Sequence, residues 1–118
     1  MAKTMAATEQ PEILASTEIE HGLQLRLRVP AGLSYFPGHF PAHPVLPGVV
    51  QLRWVEELAR QHNLISGVFL RIDKLKFMRI ISRDYEVTLE LTVPKENILQ
   101  FQYSSEHGIH GSGKMVFR

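Results

Sequence analysis

The sequence predicts an α+β domain in which an antiparallel sheet wraps around one central helix. Two observations carry this. Segments alternating apolar and polar residues at period two flank a single segment of helical periodicity, and neither a repeat nor a linker interrupts them. At 118 residues the chain suffices for one domain with a modest core.

The first ten residues, "MAKTMAATEQ", read as a flexible tail, leaving residues 11–118 as the domain. "EILASTEIE" (Glu12 to Glu20) and "GLQLRLRVP" (Gly22 to Pro30) read as two strands joined by a turn at His21-Gly22. In the second, Leu23, Leu25, Leu27 and Val29 share one face, and Gln24, Arg26 and Arg28 the other. That is the pattern of a half-buried antiparallel strand.

The helix is expected from Pro47 to about His62, since proline suits a first helical position, where its missing N–H would be unpaired anyway. Leu52, Trp54, Val55, Leu58 and Ala59 form a broad apolar arc opposite Arg53, Glu56, Glu57 and Arg60. Gln51 is a polar exception on the apolar arc.

From Gly67 to Ser82 the pattern is strand-like but slips in phase. Leu70 and Ile72 have one parity and Leu75 and Phe77 the other, which predicts a bulge near Asp73-Lys74. "YEVTLELTV", "ILQFQYSS" and "GSGKMVFR" complete the sheet, separated by turn signals at Pro94 to Asn97 and Glu106 to Gly108. A sheet with one apolar face and a helix apolar over most of its circumference cover one another, an arrangement known as the hot-dog fold.

Composition excludes several function classes. The chain has no cysteine, so disulfides, thiolate nucleophiles and cysteine-rich metal sites are absent. Thirteen Lys and Arg against twelve Asp and Glu give a net charge of +1, without the basic excess of a nucleic-acid module. No apolar run is long enough to span a bilayer and the start lacks the order of a secretion signal, so a cytoplasmic protein without membrane contact is expected. The prolines around His39 and His43 exclude the helical spacing of metal-binding histidine pairs. His21, His43, His62, His107 and His110 are expected on the solvated surface, and no metal or cofactor is expected.

The chemistry concentrates in "YFPGHFPAHPVLPGVVQLRWVEELARQH". His39 sits in a proline-bracketed loop with little backbone freedom. Gly48 and Val49 then offer backbone N–H groups at a helix N-terminus, where unpaired donors and the helix dipole favour developing negative charge. A base facing such donors is suited to removing a proton next to a thioester carbonyl.

"GHFPAHPVLPGVVQL" resembles the signature of the β-hydroxyacyl-acyl-carrier-protein dehydratases of the FabA/FabZ type, G-H-F-P-x-x-P-V-x-P-G leading into the central helix. "KLKFMRIISRDYEVTLEL" and "GSGKMVF" resemble later strands of that family, and "PVLPGVVQL" is closest in wording to dehydratases of aryl-polyene clusters. The resemblance implies dehydration of a 3-hydroxyacyl thioester, carried by acyl carrier protein, in fatty-acid or polyene assembly. His39 would take the α-proton, the Val45 carbonyl would orient its ring, and the Gly48 N–H would bind the thioester oxygen. It also implies a homodimer with sites between subunits, and leaves a heterodimer or a higher assembly of dimers open.

One position departs from the family. Fourteen residues after the histidine, where the family has Asp or Glu to protonate the leaving hydroxyl, this chain has Arg53, and Glu57 stands one turn later. The two positions are about 6 Å apart on a helix surface. Three accounts stay open: Glu57 is the displaced acid, Arg53 polarises the hydroxyl, or dehydration is weakened or lost. An arginine is a poor proton donor. The alternative functions are a non-catalytic acyl-binding or heterodimer partner subunit and a thioesterase on the same fold. Arg71, Lys74, Lys76, Arg79 and Arg83 form a basic run that suits either a protected sheet edge or docking of an acidic carrier protein.

Overall fold

The computed structural model describes residues 10–30 and 45–118. Its elements are β1 (Glu12–Ile19), β2 (Gly22–Arg28), α1 (Gly48–Gln61), β3 (Phe69–Phe77), β4 (Glu86–Lys95), β5 (Ile98–Ser105) and β6 (Gly108–Phe117). These six strands form one antiparallel sheet in the order β1-β2-β4-β5-β6-β3, with α1 against its inner face. This is the predicted hot-dog arrangement in one domain.

The alternation in sequence becomes register in space. Leu23, Leu25 and Leu27 pair with Leu91, Leu89 and Val87, so two apolar faces coincide across β2 and β4. With Leu99, Phe101 and Tyr103 from β5 and Met115 and Phe117 from β6, they cover the inner face of α1, where Val50, Trp54, Val55, Leu58 and Ala59 are buried. The Tyr103 hydroxyl donates to the Gln51 carbonyl at 2.7 Å and pins helix to sheet. Burial raises the Tyr103 pKa far above the usual phenol range, so the hydroxyl stays a donor.

The expected bulge lies in β3. Its pairing with β6 shifts between Asp73 and Lys76, and Lys74 takes φ 55°, which absorbs the extra residue. One expectation is corrected. Pro47 lies outside the helix as its extended N-cap and His62 is the C-cap, because the proline's φ of −60° and ψ of 145° point the chain out of the helical ladder. "GSG" lies in the interior of β6, where a side chain at Gly113 would meet the Phe101 ring at 2.8 Å.

The two sheet edges differ. β1 is exposed along nearly its whole length, whereas β3 and the residues after it expose Phe69, Leu70, Leu75, Phe77, Met78 and Ile80. No helix among the described residues is long and apolar enough to cross a membrane.

Candidate active site

The N-terminus of α1 is set by the segment before it. Val45 bridges Ser82, the Leu46 N–H donates to the Ile81 carbonyl at 2.7 Å, and Leu46 is buried. These bonds tie the loop leading into the helix to the chain between β3 and β4. The Val50 and Gln51 N–H groups both donate to the Pro47 carbonyl at 3.1 Å. The Gly48 and Val49 N–H groups have no acceptor among the described residues, and neither a capping side chain nor an acidic residue offsets the first turn. Among the described residues, nothing occupies the positive end of the helix, which suits it to an incoming oxygen.

Gly48 borders an apolar cavity of about 350 Å³, walled on one side by Val45, Leu46, Gly48 and Gln51 and on the other by Phe77, Met78, Arg79 and Ile80. Gly48 is required here: a Cβ would stand 2.7 Å from the Phe77 ring, so only glycine lets the ring close over the helix start. Gln51, the exception on the apolar arc, is buried. Its Nε2 donates to the Leu46 carbonyl at 3.1 Å, so the amide locks the loop to the helix. Two larger hollows lie elsewhere, one of about 510 Å³ and mixed lining beside Lys74, Lys76 and Lys114, the other of about 600 Å³ and mostly polar.

Arg53 and Glu57 are both half-buried on α1, and the Arg53 Nε and Nη2 atoms are themselves buried. The i,i+4 ion pair on this helix joins Glu56 to Arg60 at 2.8 Å, and Arg60 also donates to the Gly67 carbonyl. Glu57 has no ion pair among the described residues. From Gly48 to Glu57 the axis rises about 13 Å. His39 lies outside the described residues, as do His43 and the tail over residues 1–9.

One histidine contradicts the expectation of a solvated surface. His110 is 1% exposed and bonded on both ring nitrogens, to Ser105 Oγ and to the Ile80 carbonyl. Its partners lie up to thirty residues away in sequence, and no local motif marks it.

The family model of the ApeI-like group, described as ApeI dehydratase, matches residues 15–114. The chain belongs to the ApeI-like dehydratase family. Among solved structures, one of the ApeI:P dehydratase heterocomplex from Xenorhabdus doucetiae superposes with a TM-score of 0.83 at 27% identity, covering 92% of this chain and 99% of that one. An uncharacterised protein from Erwinia carotovora subsp. atroseptica superposes with a TM-score of 0.76 at 30% identity, over 92% and 95%. The 3-hydroxyacyl-[acyl-carrier-protein] dehydratase FabZ of Nitrosospira multiformis is 30% identical over 87 residues, 65% of this chain. The chain spans 60% of that relative's length. The family is a hydro-lyase family of FabZ and ApeI type.

Proposed function

We propose that this ApeI-like chain dehydrates 3-hydroxyacyl thioesters borne on acyl carrier protein, in fatty-acid or polyene assembly, with His39 as the base. The observation that carries the reading is a helix start whose Gly48 and Val49 N–H groups have no acceptor among the described residues, with Gly48 lining an apolar cavity. His39, oriented by the Val45 carbonyl, takes the proton from C2. The electron pair passes into the thioester, whose oxygen gains charge against the Gly48 N–H. The C3–O bond then breaks as Glu57 protonates the hydroxyl, water leaves, and a trans-2-enoyl thioester remains. The proton on His39 returns to Glu57 through solvent, which restores both groups.

In this mechanism Glu57 comes from a second copy. C3 lies within a few ångströms of the thioester carbonyl, whereas Glu57 of the same chain is about 13 Å along the helix from Gly48. The apolar edge formed by β3 and the residues after it, which no strand among the described residues covers on its outer side, is the surface for that copy. Lys74 and Lys76, with Lys114 beside them, suit an acidic carrier protein. The setting for this reaction is the cytoplasm.

Subunit complementation tests the arrangement. Neither His39→Ala nor Glu57→Gln turns over alone, but mixed and allowed to exchange they regain about a quarter of wild-type activity, because half the dimers are mixed and each holds one intact site. No recovery on mixing, with exchange shown by native mass spectrometry, places both residues in one chain and overturns the composite site.

Arg53 favours a second reading, a non-catalytic subunit paired with a carboxylate-bearing homologue. The Xenorhabdus relative is described as a heterocomplex. Under that reading the chain is inert alone and forms a stable complex with such a homologue.

A further inference from the structure

The stretch between β3 and β4 walls the cavity, yet Met78 to Ile80 lie outside both strands and need another support. His110 in β6 supplies it. Its carbonyl accepts from the Met78 and Arg79 N–H groups at 2.8 and 3.2 Å. Its ring Nδ1 faces the Ile80 carbonyl at 3.0 Å and the Arg79 carbonyl at 3.4 Å. A carbonyl only accepts, so Nδ1 carries the proton and the bare Nε2 accepts from the Ser105 hydroxyl at 2.6 Å. Ser105 Oγ in turn accepts from the His107 N–H at 3.0 Å. Every donor in this chain of bonds has an acceptor, and the ring is neutral.

Burial holds the His110 pKa below its ordinary value, and the nearby His107 and Arg79 charges act in the same direction. Tyr85, whose ring is 5.9 Å from the His110 ring, is the titratable neighbour from the β4 side.

The next bonds along the same stretch are those from Ile81 and Ser82 to Leu46 and Val45. The cavity wall therefore hangs between two anchors, one at the loop entering α1 and one at His110.

We infer that His110 is a positioning residue: through Met78 to Ile80 it fixes the wall of the acyl cavity and so sets the acyl length the site accepts. This rests on the dehydratase reading only in taking the cavity's occupant to be an acyl chain. Its effect is on the depth and shape of the cavity.

The test compares short-chain and long-chain 3-hydroxyacyl thioesters on the full protein, together with binding of matching non-reactive acyl thioethers by calorimetry. His110→Leu is expected to change the long-to-short ratio of KM, and of thioether Kd, about tenfold while kcat on the short substrate is unchanged. His110→Asn, which keeps an N–H for the carbonyls, restores the wild-type ratio. Ser105→Ala, the milder change, moves the ratio in the direction of His110→Leu and serves if that variant does not fold. Equal loss of kcat on both substrates, or long-to-short ratios unchanged in folded His110→Leu or Ser105→Ala, overturns the inference. A wild type without turnover contradicts the dehydratase reading alone, since the thioether ratio still decides the role of His110.

Discussion

His39→Ala lowers turnover of a 3-hydroxyacyl thioester about a thousandfold, the mid-range effect of losing a positioned general base. The far-UV circular dichroism spectrum is expected to stay that of wild type. The size follows from what remains in the variant. In the proposed mechanism the Gly48 N–H still meets the thioester oxygen, so carbonyl polarisation persists, but nothing holds a base against the C2 proton. A loss below about tenfold would mean that another group takes the proton. Steady-state kinetics on the purified variant, with KM read separately from kcat, checks it.

Trp54→Ala destabilises the fold by about 4 kcal/mol, the middle of the range for large aromatic truncations in a core. Trp54 is fully buried at the centre of α1, where the apolar faces of the sheet close on the helix. Removing the indole leaves a cavity enclosed by side chains from several strands, which cannot collapse together without shifting the sheet. Such a loss is a large share of the roughly 5–15 kcal/mol that holds a domain of this size together. Urea denaturation measures it, with Val49→Ala as the control. Val49 is 74% exposed, so its truncation stays within about 0.5 kcal/mol. A Trp54→Ala effect as small as the control's would mean that the helix is not the centre of the core.

Sequence made the sheet legible where apolar residues alternate strictly. Leu23, Leu25 and Leu27 are buried as their parity requires, and so are Val87, Leu89 and Leu91. Even the phase slip between Ile72 and Leu75 carried structural meaning, because a bulge is a local device that one extra residue reveals. The helix start was legible from Pro47 and Gly48 for the same reason, with a shift of one residue at the boundary.

His110 was not legible. It sits among glycines in a strand where alternation is lost, and the carbonyls it holds belong to a distant segment without regular structure. Gln51 shows the intermediate case. Its place on the apolar arc marked it as unusual, but its partner, the Leu46 carbonyl, depends on how the preceding loop returns over the helix. Sequence patterns report the faces of elements, whereas polar clamps depend on where the loops between elements travel.

In the proposed mechanism the carboxylate has moved from position 53 to Glu57 without loss of chemistry. The direct measurement is enoyl formation, followed at the absorbance of the conjugated thioester, for wild type, Glu57→Gln and Arg53→Glu on a carrier-bound 3-hydroxyacyl substrate. The account predicts turnover by the wild type that Glu57→Gln abolishes. An inert wild type that gains activity as Arg53→Glu would contradict it and make this chain the silent member of a two-subunit dehydratase.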